Sequence, residues 1–133
     1  AGLVKSCMFR DFAASATFQG LYGVRPEILQ LPNIVYLGFG EDGHIASLFP
    51  EGPELSSTRS SVVEVLAPVY PHARISLTMQ ALHSADHVVM LVSGKEKHRV
   101  YRKARFQASS AALPLARFLS RSYAPVSVYM DRA

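Results

Sequence analysis

Glu41, Asp42 and His44 stand within four residues of one another, with Gly38, Gly40 and Gly43 threaded before and between them. An imidazole can accept and return a proton near neutral pH, and a carboxylate beside it can orient the ring and support its charged form. Their spacing leaves open which of the two acids serves His44. Glycine admits positive φ and close approach of backbone, so Gly40 and Gly43 suit a tight turn against which a substrate can lie. The residues before it, Ile34, Val35, Tyr36 and Leu37, form an apolar run expected to be a strand buried on both faces. Titratable side chains just past such a strand sit where open parallel sheets bind ligands.

Gly38-x-Gly40-x-x-Gly43 has the form of a dinucleotide fingerprint, and Glu64 follows roughly 20 residues on, as that fingerprint asks. Two details argue against it. Glu64 lies inside the apolar run Val62-Val63-Glu64-Val65-Leu66 and not at its end. Glu41 and Asp42 would also place negative charge where a pyrophosphate needs bare amides.

The full stretch Gly38–Pro50, GFGEDGHIASLFP, resembles the signature of the 6-phosphogluconolactonases, which hydrolyse the lactone of 6-phosphogluconate in the pentose phosphate pathway. The resemblance continues through Arg74-Ile75-Ser76-Leu77-Thr78, Ala81-Leu82, Val88 to Gly94 with Lys97, Leu113-Pro114 and Val126 to Asp131, so it covers residues 30–133. It implies a general base at His44, supported by Asp42 or Glu41, and water attacking a lactone carbonyl. A related amino-sugar-phosphate deaminase and isomerase group shares the Gly-x-Asp-Gly-His-Ile-Ala turn, and Ile45 leans that way. Ser47-Leu48-Phe49-Pro50 leans back, because the deaminase pattern continues with Asn-Glu-Pro and its catalytic acid.

A sugar phosphate needs fixed cations. Arg74 offers a planar fork, and Lys97 falls in the first turn of an expected helix after Gly94, where backbone N–H groups already favour an anion. Both match basic positions of the family. The neighbouring Lys95, Arg99, Arg102, Lys103 and Arg105 raise the rival reading of a nucleic-acid-binding helix, but its cations are spread around the helix and aromatic interleaving is sparse. The expectation is no nucleic-acid partner. His83 and His87 lie four apart without the glutamate of an H-E-x-x-H site, so no metal is expected, and no organic cofactor is implied.

The elements that must position these groups follow from periodicity. Helical patterning is expected from Met8 to Tyr22, with Phe9, Phe12, Ala13, Phe18 and Leu21 inward. Strands are expected at Ser61–Leu66, His87–Val92 and Val126–Met130, and a short alternating segment at Arg74–Thr78 leads into a helical turn over Met79–Ala85. Helices are expected over Lys95–Arg105 and Leu113–Arg121. Alternating strands and helices imply a single α/β domain over 1–133, a three-layer sandwich around a mostly parallel, Rossmann-like sheet, with 1–29 a helical lead-in.

At 133 residues, 49% hydrophobic and 18% charged, the chain has one domain's worth of core. No run approaches the roughly 18 apolar residues of a membrane span, and no signal segment is expected. The single cysteine, Cys7, rules out an internal disulfide and suits a reducing cytoplasm, and the net charge of +4 favours anionic partners, either nucleic acid or phosphorylated metabolites, among which the resemblance implies a phosphorylated sugar lactone. Members of the resembling family are about twice this long and carry a Gly-Gly-Ser-Thr phosphate loop and an Asp-Glu-Arg segment that do not occur here. The resemblance therefore also implies a need for completion, by a homodimer or a complementing N-terminal half. The alternative is a catalytically silent relative acting in binding or assembly.

Overall fold

The structure, a computed structural model, describes residues 33–58, 62–106 and 112–132. The expected helix at 8–22 and Cys7 lie outside the described residues. The elements are β1 (Ile34–Tyr36), a 3-10 turn (Pro53–Ser56), β2 (Val62–Leu66), β3 (Ala73–Leu77), α1 (Met79–His83), β4 (His87–Val92), α2 (Lys95–Phe106), α3 (Pro114–Arg121) and β5 (Val126–Met130).

β1, β4 and β5 form a parallel three-stranded sheet with β4 in the middle. Its register pairs Val35 with Val88, Val88 with Val126, and Leu91 with Tyr129. Parallel pairing needs a crossover long enough to return the chain to the same end, and α2 followed by α3 supplies it between β4 and β5. The inward face presents Val35, Val88, Met90 and Val92, all buried, to Val100 and Ala104 of α2 and to Leu115, Ala116 and Phe118 of α3. Thr78 caps α1 by accepting the Ala81 N–H at 3.1 Å, which turns the chain from β3 into the helix. This is the α/β architecture with a mostly parallel sheet that the sequence implies.

Two expectations are corrected. The Ile34–Leu37 run is not buried on both faces. Val35 and Leu37 are buried, but Ile34 is 57% and Tyr36 77% exposed, because among the described residues helices cover only one side of the sheet. Leu91 and Tyr129 share that open side.

The strand ending at Leu66 does not join the parallel sheet. It pairs antiparallel with β3, from Val62 opposite Leu77 to Leu66 opposite Ala73, as a separate two-stranded sheet. The six residues between these strands include a cis Tyr70–Pro71 bond and are too few to hold a crossover helix, so a hairpin is the available solution. Val65 and Ala67 of this hairpin pack on Phe49 and thereby fasten it beside the glycine turn.

Candidate active site

The turn begins one residue after Leu37, whose N–H donates to the Val89 carbonyl at 2.9 Å. Its backbone is closed twice: the Gly43 N–H donates to the Gly40 carbonyl at 3.1 Å, and the Gly40 N–H to the His44 carbonyl at 2.9 Å. Gly43 has φ of +81°, a conformation that favours glycine, and its carbonyl accepts the Leu115 N–H at the start of α3 at 3.0 Å. Ile45 and Leu48 exchange backbone hydrogen bonds, and both are fully buried. The chain therefore leaves the sheet, turns sharply and re-enters the core, holding His44 between two anchored ends.

Within the turn, Asp42 Oδ1 lies 2.6 Å from His44 Nδ1 and 3.2 Å from the His44 backbone nitrogen. Burial pushes the Asp42 carboxyl up, but the hydrogen bonds from the His44 backbone and ring outweigh it and hold the group below its ordinary value of 3.8. Asp42 is then an acceptor only, so in the neutral imidazole it is Nδ1 of His44 that carries the proton and Nε2 that carries the lone pair. Glu41 is exposed and has no hydrogen-bond or ion-pair partner among the described residues. Of the two acids left open by the sequence, Asp42 is the one in contact with His44.

A carboxyl whose folded value is lowered contributes stability above its unfolded value, and that stability is lost as pH falls through the folded value. Asp42→Asn should therefore lose less stability than the parent chain between about pH 5 and pH 2 in urea titrations. Identical acid losses in the two chains would mean that His44 does not hold the carboxylate.

The two expected phosphate ligands flank the turn through its aromatic rings. The His44 ring packs on Phe49 with centroids 4.7 Å apart, and the Arg74 guanidinium lies 5.3 Å from the centre of the same ring. Arg74 Nε donates to the Pro71 carbonyl at 2.8 Å and one terminal nitrogen to the Val69 carbonyl at 3.1 Å. Those bonds brace the hairpin loop and leave three of the five guanidinium N–H groups for another acceptor. Lys97 reaches back from α2 to donate to the Phe39 carbonyl, with its ammonium 5.0 Å from the Phe39 ring. His44, paired with Asp42, and Arg74 thus meet at Phe49, while Lys97 meets Phe39 one residue before Gly40, and Gly40 and Gly43 lie in the turn itself.

At the start of α2, where the sequence suggested amides for a substrate phosphate, the Gly94 N–H is taken by a carboxylate of the chain itself, donating to Asp131 Oδ2 at 3.0 Å. His83 and His87 do not converge: His83 packs against Phe118, whereas His87 Nε2 meets Ser127 Oγ at 2.9 Å. Among the described residues, no group of three or more His, Cys, Asp or Glu could hold a metal ion, and no helix is long and apolar enough to cross a membrane.

Sequence reasoning missed Ser76. Its buried hydroxyl accepts the Ser47 N–H at 3.1 Å and donates to the Leu77 carbonyl at 2.9 Å, tying the exit of the turn to β3. A serine at an inward position of the alternating segment 74–78 was the available signal.

The family described as glucosamine-6-phosphate isomerases/6-phosphogluconolactonase matches residues 11–126. A 6-phosphogluconolactonase of Pseudomonas putida is 34% identical over an alignment of 134 residues, gaps included, that covers 96% of this chain and 52% of the relative. Among solved structures, a 6-phosphogluconolactonase from Shewanella baltica OS155 superposes with a TM-score of 0.65 at 29% identity, covering 74% of this chain and 43% of that one. The enzyme of the same name from Leishmania guyanensis gives 0.63 at 34% identity, over 74% and 39%. The α/β fold, the anchored glycine turn and these matches agree: the chain belongs to the glucosamine-6-phosphate isomerase/6-phosphogluconolactonase family. It spans about half the length of the curated relatives it matches.

Proposed function

We propose that this chain carries the water-activating part of a 6-phosphogluconolactonase, an enzyme that hydrolyses 6-phospho-D-glucono-1,5-lactone to 6-phosphogluconate. The observation that carries the reading is the 2.6 Å contact between His44 Nδ1 and Asp42 Oδ1, which leaves Nε2 free to act as a base. In the proposed reaction, Nε2 takes a proton from water as the water oxygen bonds to C1 of the lactone. The tetrahedral intermediate then collapses with cleavage of the C1 to ring-oxygen bond, and the imidazolium returns its proton to the departing ring oxygen. Asp42 stabilises the transient imidazolium. Arg74 and Lys97 hold the phosphate, and backbone at Gly40 and Gly43 lies against the sugar. Such a metabolite and the single Cys7 support a cytoplasmic setting.

The test is hydrolysis of freshly generated lactone by the purified chain, corrected for spontaneous opening. Turnover above background is expected, and a rate equal to background would overturn the reading for this chain acting alone. Arg74→Ala should raise KM for the phosphorylated lactone about tenfold while changing kcat/KM for unphosphorylated gluconolactone less than about twofold. Equal losses on both substrates would point to collapse of the hairpin loop instead of a lost phosphate contact.

The open side of the sheet supports a proposal about completion. Among the described residues, Ile34, Tyr36, Leu91 and Tyr129 together leave an exposed apolar face on one side of the sheet. The occupant we favour is a complementing N-terminal half equivalent to the part of the relatives that this chain does not span, and a homodimer is the competitor. Light scattering decides between them: a monomer at micromolar concentration whose turnover rises on adding such a half is expected, whereas a stable dimer would overturn it.

A further inference from the structure

α2 begins without a hydrophobic anchor. Lys95 and Glu96 are exposed, Lys97 and His98 are half-buried, and the first fully buried residue of the helix is Val100. A first turn so placed would fray unless polar contacts fix it. Those contacts converge on one residue at the far end of the chain, Asp131, immediately after β5. Its Oδ2 accepts from Ser93 Oγ at 2.6 Å and from the Gly94 N–H at 3.0 Å, and its Oδ1 lies 2.7 Å from His98 Nε2. The hydroxyl of Ser93 and the ring of His98 hold the carboxyl below its ordinary value of 3.8, so it is the acceptor and His98 Nε2–H the donor. The His98 N–H in turn donates to the Gly94 carbonyl at 3.1 Å, closing the first helical bond. Asp131 itself is fixed by the bond from its N–H to the Val92 carbonyl at 3.2 Å. One carboxylate thereby ties the ends of β4 and β5 to the first turn of α2.

The residue next to His98 is Lys97, which rests on the Phe39 carbonyl one residue before Gly40. We propose that Asp131 and His98 are positioning residues for the reaction: they lock the first turn of α2 so that Lys97 is held beside the His44 turn, ready for the substrate phosphate. A lysine has a long stem with many rotamers, and fixing its backbone removes much of the disorder that would otherwise dilute its contact with an anion. The functional consequence rests on the phosphate role proposed above for Lys97; the structural coupling between Asp131, His98 and Lys97 does not.

The test pairs two readouts on the whole chain. The first is the carbon-13 shift of the Phe39 carbonyl in the ligand-free protein, compared among the parent, Lys97→Ala, His98→Ala and His98→Gln. The second is the affinity for 6-phosphogluconate measured by calorimetry. His98→Ala should move the Phe39 resonance towards its Lys97→Ala position and weaken binding about three- to tenfold, as expected for loss of a charge-assisted hydrogen bond. His98→Gln, which keeps a donor for Asp131, should restore both. In the Lys97→Ala background, His98→Ala should change affinity less than about twofold, because its effect travels through Lys97.

An unchanged Phe39 resonance in His98→Ala, with only a lower melting temperature, would overturn the proposal, as would undiminished effects in the Lys97→Ala background. Failure of the parent chain to bind 6-phosphogluconate would count against the proposed function, and the Phe39 shift alone would then still decide the positioning role.

Discussion

His44→Ala is expected to bring lactone hydrolysis down by about 10²–10⁴ in kcat, with KM for the phosphorylated substrate changed less than about threefold, as follows from the roles proposed above for His44 as base and for Arg74 and Lys97 as phosphate ligands. The fold should survive. His44 is 29% exposed at its side chain, and besides the bond to Asp42, which is 48% exposed and open to water in its place, it gives up the tilted stacking on Phe49. Such a pair contributes roughly 0.5–1.5 kcal/mol, a shift of a few degrees in Tm. Stopped-flow hydrolysis beside a thermal melt separates the two effects. Retention of more than about a tenth of parental kcat would remove His44 from the role of base.

Gly40→Ala should do comparable damage without touching a titratable group. A Cβ at residue 40 would stand 2.2 Å from His44 Nδ1, 2.3 Å from His44 Cε1 and 2.5 Å from Asp42 Oδ1. All three atoms belong to side chains that can swing away, and no positive φ strains an alanine at this position, so the change disturbs the fold little. What it displaces is the pair of groups whose 2.6 Å contact sets the tautomer of the proposed base. Displacement of a reacting group by about 1 Å can cost on the order of 10²-fold, and that is the expected loss in kcat. Tm should stay within a few degrees of the parent. Gly38 is the control, because a Cβ there meets nothing within 4 Å, and Gly38→Ala should keep near-parental activity. Full activity in Gly40→Ala would mean that the observed contact between His44 and Asp42 is not the catalytic one.

The local pattern of the chain was legible wherever one face of an element is apolar. β4 and β5 fall at the expected residues, and α2 and α3 within one residue of theirs, because Met90, Val92, Val100, Leu115 and Phe118 alternate or repeat against one core. The turn with His44 was legible because glycine spacing and titratable side chains coincide there.

What the pattern could not convey was pairing. Val62–Leu66 reads as a strand in either kind of sheet, and only the short link to β3 makes it half of a hairpin. The exposure of Ile34 and Tyr36 depends on what lies over the sheet, which is a tertiary property. The same holds for Asp131, whose acceptor role joins residues 33 to 38 positions apart in sequence. Arg74 lies near His44 by way of Phe49, and the loop carbonyls that occupy two of its donors gave no sign in the sequence.

The bond from the Leu115 N–H to the Gly43 carbonyl links the glycine turn to a helix about 70 residues later in the chain. Leu113 lies against Gly43 from the same side, close enough that a Cβ there would meet it at 3.2 Å. The turn and the start of α3 therefore form one cooperative unit, in which neither end can open to solvent without releasing the other. Because the amide of Leu115 is spent on the turn, its exchange with deuterium serves as a clock for the integrity of the His44 site. Any modification that quickens that clock loosens the pairing of His44 with Asp42 from behind, without altering either side chain.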